Sequence, residues 1–185
     1  MKLDFLAGYR PTVTVMIQSE TAANAINTIR NSVYEGADAF GLQICKLAPE
    51  EREHLKEIYA ASSGRPFYIT NYRYGYNEGL SDEECMNGLI EGLKAGGTLG
   101  DVMGDAFDKS PNELTINPVA VDKQKKLIDE IHQMGKEVLM SSHLYRFAKA
   151  EEVLEIAYEQ YGSVEELSAA DRELAEAAVR AIGGS

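Results

Sequence analysis

The stretch "NPVAVDKQKKLIDEIHQMGKEVLMSSH", residues 117–143, decides the fold class, because it joins an amphipathic helix to a short buried strand. Apolar side chains recur at helical spacing through residues 117–135, which predicts a helix with one buried face. Residues 136–142, "KEVLMSS", predict a buried strand, and His143 follows it directly. Strands that alternate with helices form a parallel sheet, because parallel neighbours need crossover connections.

The same alternation runs through the chain before this stretch. Strands are predicted at residues 12–18, 37–47, 65–73, 98–108 and 136–142, and helices at residues 19–36, 48–64, 81–97 and 117–135. This pattern predicts an α/β fold of about five parallel β/α units, formed by residues 1–160 as a single domain.

Capping signals mark two of the predicted helices. Ser19 is suited to begin the first helix, and Gly36 is suited to the position just past its end. Ser81 with Glu84 three residues later matches a capping box, which predicts a helix start at residue 81. The segment 161–185 behaves differently, because it is rich in Ala, Glu and Arg and contains no strand pattern. We expect it to form an appended C-terminal helix that finishes in a linker-like Gly-Gly-Ser.

The composition of the chain disfavours several classes of partner. The chain has 185 residues, 44% of them hydrophobic, which suffices for one domain core. A net charge of −12 disfavours nucleic acid and anionic membranes as partners. No apolar run reaches the length of about 18 residues that a membrane span needs. Cys45 and Cys85 form no motif, which indicates buried thiols in a reducing, cytoplasmic setting.

Polar residues follow several predicted strands, where parallel sheets concentrate their chemistry. His143 follows the fifth strand and could shuttle protons or be a hydrogen-bonded structural residue. Arg73 follows the third strand, where its guanidinium suits a carboxylate ligand or a salt bridge. Glu78 lies in the next loop, which has the composition of either a ligand-binding loop or a surface turn.

Asp101 and Asp105 in "GDVMGD", residues 100–105, are expected at the end of the fourth strand. Together with His143 and Glu78 they could form an oxygen-rich metal site. No ligand spacing is diagnostic of a metal, so we favour ordinary loop capping by aspartate and expect no metal.

Longer stretches together resemble the type I 3-dehydroquinate dehydratases, especially a divergent bacterial branch. The order and spacing of these stretches carry the resemblance, which covers about residues 11–160. They are "GADAFGLQICKL" (36–47), "RPFYITNYRYGYNEGLSDEE" (65–84), "GDVMGDAFD" (100–108), "AVDKQKKLIDEIHQMGKEVLMSSH" (120–143) and "AEEVLEIAYEQ" (150–160).

The resemblance implies a (β/α)8 barrel and a lyase of the shikimate pathway, which dehydrates 3-dehydroquinate without a metal or other cofactor. A family lysine forms a Schiff base with the substrate ketone, and a histidine that matches His143 moves protons. Arg73 matches an arginine that meets the substrate carboxylate, and Glu78 approximates an acid in the next loop, one residue further along. Gln43 closes "Gly41-Leu42-Gln43", which replaces the family's Glu-x-Arg and alters two substrate contacts.

The family lysine lies on a sixth strand, and no sixth strand is predicted here. A barrel of this kind typically needs about 250 residues, so an incomplete barrel or a rearranged open sheet is expected. We therefore expect a dehydratase-like scaffold that is truncated before the Schiff-base lysine and is inactive or binds small carboxylates weakly. Two alternatives stay open, namely an active carbon-oxygen lyase completed by oligomerisation, and an engineered or redesigned assembly module without catalysis. Exposed edges on the first and fifth strands would favour a homo-oligomer such as a dimer.

Overall fold

The computed structural model describes residues 12–111 and 113–143, together with Phe5, Phe147 and Lys149. The expected C-terminal helix at residues 161–185 lies outside this range. The chain divides into two compact units, Met1–Met103 with Gln124–Ser141, and Gly104–Lys123 with Ser142–Ser185. We call them the sheet unit and the loop unit. The predicted division into domains 1–160 and 161–185 stays a prediction.

The sheet unit contains a parallel sheet of five strands, which confirms the predicted fold class. The strands are β1 (Thr14–Ile17), β2 (Ala39–Gln43), β3 (Phe67–Thr70), β4 (Leu99–Met103) and β5 (Glu137–Ser141). Their order in the sheet is their order in the chain. Within the described ranges β1 and β5 do not pair with each other, so this sheet is open.

Helices follow the first four strands. They are α1 (Ala22–Tyr34), α2 (Leu55–Ala60), α3 (Asp82–Ala95) and α4 (Pro118–Gln133). The predicted second strand, 37–47, ends earlier because Ile44–Lys46 turns into a 3-10 helix. The predicted second helix begins as a 3-10 turn at Pro49–His54 and becomes α-helical only at Leu55.

The predicted caps are correct for α3 and partly wrong for α1. Ser81 and Glu84 form the complete capping box at the start of α3. Gly36 follows the C-cap of α1 with φ +94°, the left-handed conformation that favours glycine. The N-cap of α1 is Thr21 and not Ser19, because the Thr21 hydroxyl accepts a hydrogen bond from the Asn24 backbone N–H.

The face of the sheet that meets the helices is apolar and tightly packed. Phe40 stacks on Phe67 at 5.5 Å between ring centroids, and Tyr59 meets Phe67 edge-on at 4.7 Å. Gly97 allows Ile69 to approach closely, since a Cβ at residue 97 would lie 1.9 Å from the Ile69 side chain. These contacts form the hydrophobic core that holds the strands in register.

The opposite face, which we call the inner face, carries the alternate side chains of each strand. Its central and carboxyl-terminal members are Met16, Gly41, Gln43, Tyr68, Thr70, Asp101, Met103, Leu139 and Ser141. Met16 on β1 is 41% exposed and Leu139 on β5 is 44% exposed, whereas Asp101 on β4 is fully buried. The inner face therefore exposes apolar side chains on its outer strands and buries a carboxylate near its middle. No helix in the described ranges is both long and apolar enough to span a membrane.

Candidate functional site

The loop after β3, residues 71–80, is held in place by a buried amide network. Asn77 donates from Nδ2 to Asn71 Oδ1 at 2.7 Å and to the Tyr72 carbonyl at 2.9 Å. Asn71 donates in turn to the Cys85 carbonyl at 2.7 Å, and Arg52 donates to Asn77 Oδ1 at 3.0 Å. Because Asn71 and Asn77 are fully buried and bonded, they fix the positions of the tyrosines in this loop.

Tyr74 in this loop connects the end of β2 with a lysine. Its hydroxyl donates to Gln43 Oε1 at 3.2 Å, and the Lys46 ammonium lies 4.8 Å from the centre of its ring. The second contact is a cation–π interaction, which orients the Lys46 side chain. A cleft of about 470 Å³ lies beside it, lined by Gln18, Ser19, Glu20, Lys46, Gly75 and Tyr76. Of the predicted site residues, Gln43 thus bonds the tyrosine that orients the Lys46 ammonium.

Arg73 is bound to Asp82 at the start of α3. Its Nε lies 2.5 Å from Asp82 Oδ1, and its Nη2 lies 2.7 Å from Oδ2. Both side chains are largely buried, at 20% and 16% exposure. The salt bridge is one of the two alternatives that the sequence left open, and the substrate-binding role of Arg73 stays a prediction.

Glu78 lies at the end of the 3-10 turn Gly75–Asn77 and is exposed. Its side chain has no hydrogen bond or ion pair with the residues that the structure describes. The geometry therefore leaves its predicted role open.

Tyr68 and Tyr72 both donate their hydroxyl groups to Oδ2 of Asp101. Asp101 is fully buried in β4, and its other oxygen, Oδ1, has no hydrogen-bond partner within the described ranges. Burial, reinforced by the Asp101 carboxylate, raises the pKa of the Tyr68 and Tyr72 phenols far above their usual value. Both phenols therefore stay protonated and act as fixed donors to the carboxylate.

His143 belongs to the loop unit, where it pairs with Glu113. His143 Nδ1 lies 2.5 Å from Glu113 Oε2, and both side chains are partly exposed. Glu113 adopts φ +50°, which is unusual for a residue other than glycine. When Nδ1–H of a neutral imidazole donates to a carboxylate, Nε2 is left as the proton acceptor. The pair can therefore orient a base, and the catalytic role of His143 stays a prediction.

Asp101 and Asp105, two of the acidic residues considered as metal ligands, make other contacts. Asp105 accepts a hydrogen bond from the Ser110 backbone N–H at 2.9 Å, which is the loop capping expected for it. Thr115 donates to Asp108 at 2.5 Å in the same loop. In the described part of the chain, no group of three or more His, Cys, Asp or Glu side chains is arranged to hold a metal.

Four residues make the polar and cation–π contacts described above but were not predicted as site residues from the sequence, namely Lys46, Tyr68, Tyr72 and Tyr74. Tyr68 could have been found from strand alternation, because it occupies an inward position between Phe67 and Ile69. Lys46 could not, since its position depends on the 3-10 turn that ends β2 early.

Comparison with protein-family models gives no match, and comparison with curated protein sequences gives none either. Among solved structures, the chain is similar to a 3-dehydroquinate dehydratase from Enterococcus faecalis, with a TM-score of 0.59 and 18% identity. The match covers 80% of this chain and 60% of that one. A mandelate racemase/muconate lactonizing enzyme from Sorangium cellulosum matches with a TM-score of 0.49 and 18% identity, over 91% of this chain and 44% of the other.

The match to the Enterococcus faecalis dehydratase shows the fold. The chain shares the parallel β/α arrangement of (β/α)8-barrel enzymes, and a dehydratase is among them. It spans about three-fifths of the length of that dehydratase.

Proposed function

We propose that this chain is a dehydratase-like scaffold that binds small carboxylates without performing the lyase reaction. The observation that carries the proposal is the Lys46 ammonium, which Tyr74 orients beside the cleft at the end of β2. An ammonium attracts an anionic ligand as a compact charge. Gln43 adds an amide, which can donate a hydrogen bond to a carboxylate oxygen.

Two features support the absence of lyase turnover. Gly41 occupies the position of the family's glutamate, and the Met16 thioether fills the adjacent space, since a Cβ on Gly41 would lie 2.0 Å from the Met16 sulfur. Arg73, which matches the arginine for the substrate carboxylate, is bound at two points to Asp82. An enzyme accelerates its reaction only through contacts that strengthen in the transition state. Here the glutamate contact is replaced by Gly41, and Arg73 is already bound to Asp82.

Calorimetric titration with 3-dehydroquinate tests the binding proposal. The wild-type protein should bind it weakly, and Lys46→Met should reduce the affinity about tenfold, as expected for the loss of one charge-assisted contact. Lys56→Met is the matched control, because it removes the same charge from an exposed position on α2. Equal affinities of the two variants would contradict the proposed site.

An active carbon-oxygen lyase of the shikimate pathway is the second candidate function, and the His143–Glu113 pair favours it. It requires conversion of 3-dehydroquinate to 3-dehydroshikimate that depends on His143. His143→Ala should then abolish turnover, whereas His54→Ala on the 3-10 turn before α2 should not. Absence of turnover in the wild-type protein would exclude this candidate.

A third candidate is an assembly module, which the open sheet edges favour. Within the described ranges β1 and β5 each pair with one neighbouring strand only, so their outer edges could pair with a second copy of the chain. Light scattering over a range of concentrations tests this, since a strict monomer would exclude edge pairing.

The buried free thiols of Cys45 and Cys85 are consistent with a reducing, cytoplasmic location, which we include in the proposal.

A further inference from the structure

Asp101 is a buried carboxylate that contacts no cationic side chain in the part of the chain that the structure describes. Its Oδ2 accepts the hydroxyls of Tyr68 and Tyr72, and its Oδ1 is buried without a hydrogen-bond partner in the described ranges. It forms no ion pair with any Lys, Arg or His there. A buried carboxylate is stable only when charges or donors compensate for its lost hydration.

A purely structural role explains only half of this arrangement. The two phenols already join β3 and the loop after it to β4 through Oδ2. An amide or hydroxyl could do the same without burying a charge. A structural link of this kind leaves Asp101 Oδ1 without a hydrogen-bond donor among the described residues. A buried acceptor without a donor lowers the stability of the folded protein.

A second unpaired acceptor lies beside the first. The register pairs Ile69 with Gly100, so the next residues along the two strands, Thr70 and Asp101, are neighbours on the inner face. Thr70 is 1% exposed, and its Oγ1 also lacks a hydrogen-bond partner within the described residues. Two oxygens on adjacent strands therefore lack a hydrogen-bond partner among the described residues, and one of them belongs to a carboxyl group.

We propose that Asp101 and Thr70 form a binding site for a small primary ammonium group. The positive charge would compensate for the buried carboxylate, and its N–H groups would pair with Asp101 Oδ1 and Thr70 Oγ1.

Entry of the ligand requires a side chain to move, because Oδ1 is inaccessible in this arrangement. Tyr72 is half-buried and lies beyond the end of β3. We therefore expect the Tyr72 side chain to move aside, which opens the way to Oδ1 and breaks the hydrogen bond of Tyr72 to Oδ2.

Thermal unfolding with methylammonium chloride tests the proposal. Tetramethylammonium chloride is the matched probe, because it carries the same charge without N–H donors, and sodium chloride controls for ionic strength. Methylammonium at ten times its dissociation constant should lower the apparent unfolding constant of the wild-type protein about 11-fold. The two control salts should not have this effect. Equal stabilisation by methylammonium and tetramethylammonium would overturn the proposal.

Three variants locate the effect. Asp101→Asn should weaken methylammonium binding about tenfold or more, since it removes the charge while keeping the shape. If Asp101→Asn fails to fold, Thr70→Val should weaken binding. Tyr72→Phe should bind at least as tightly, because entry of the ligand no longer breaks the hydrogen bond from Tyr72 to Oδ2. A wild-type response in both Asp101→Asn and Thr70→Val, or weaker binding by Tyr72→Phe, would contradict the site.

This site is independent of the proposed carboxylate site. Lys46→Met should leave methylammonium binding unchanged while it weakens binding of 3-dehydroquinate. If one of the two sites does not exist, the binding experiments on the other site can still give their predicted result.

Discussion

Arg73 and Asp82 form a two-point ion pair that fastens the loop after β3 to the first turn of α3. The pair joins the residue that most resembles a substrate-binding arginine to a carboxylate of the protein itself. Whether Arg73 binds ligand or stabilises the fold therefore depends on how strongly Asp82 holds it.

Substitution of Asp82 measures that competition. Asp82→Asn should lower the free energy of unfolding by about 2 kcal/mol, because it breaks a largely buried charge-assisted pair. It should also raise the affinity for small carboxylates, since the Arg73 guanidinium loses its carboxylate partner. Urea unfolding and calorimetric titration measure the two effects. Glu83→Gln controls for a changed charge in the same helical turn, and the same behaviour in both variants would contradict the prediction.

Alkaline titration tests the Asp101 cluster. The pKa values of Tyr68 and Tyr72 are raised, first by burial and then by Asp101, so both phenols should stay protonated above pH 10.0, the ordinary pKa of a tyrosine. The unfolded chain loses these protons first, so stability should fall as pH rises above that value. Tyr68→Phe should reduce the slope of unfolding free energy against pH. An unchanged slope would show that Tyr68 titrates normally in the folded protein.

Acid titration tests the capping box of α3. Hydrogen bonds from the Ser81 backbone and hydroxyl lower the pKa of Glu84 below 4.5. The stabilisation of the folded protein by this capping box is therefore present above pH 4.5, and it is lost as the pH falls through the folded-state pKa of Glu84. Glu84→Gln should remove this part of the acid dependence, measured as unfolding midpoints in urea. Glu91→Gln, further along α3, is the control and should retain it.

The buried amide network predicts that substitution of Asn77 has a large effect on stability. Asn77→Ala should lower the free energy of unfolding by about 3 kcal/mol, because Asn71 Oδ1 and Arg52 Nη2 both lose their hydrogen bond to Asn77. Asn87→Ala on the exposed side of α3 should change it by less than about 0.5 kcal/mol. Similar values for the two variants would mean that the network does not hold the loop.

The two cysteines provide a test of the core. Burial raises the pKa of both Cys45 and Cys85, and the thiolate is the reactive form. Both thiols should therefore react slowly with a disulfide reagent in the native protein and quickly in denaturant. A fast native reaction would place one of them near solvent.

Much of the fold could be predicted because it depends on local patterns. The five strands and the capping box of α3 follow from apolar runs and from Ser81 with Glu84. The strand lengths were less accurate, since the turn at Ile44–Lys46 depends on packing against other elements.

The site was less predictable because its contacts cross between elements. Asp101 meets Tyr68 only because β3 and β4 are in one register, and Arg73 meets Asp82 only because α3 begins close to the loop. His143 pairs with Glu113, which lies 30 positions earlier and carries no motif of its own. The residue types indicated which side chains can act as acids, bases or ligands. The register of the strands and the position of α3 decided which of them pair.

The central claim is that this scaffold binds 3-dehydroquinate without covalent catalysis. The most direct test is intact-mass spectrometry of the protein after incubation with 3-dehydroquinate and borohydride, which reduces any Schiff base to a stable adduct. The account predicts an unchanged protein mass under conditions in which titration shows the ligand bound. A mass increase equal to the reduced ligand, located on Lys46 or any other lysine, would contradict it.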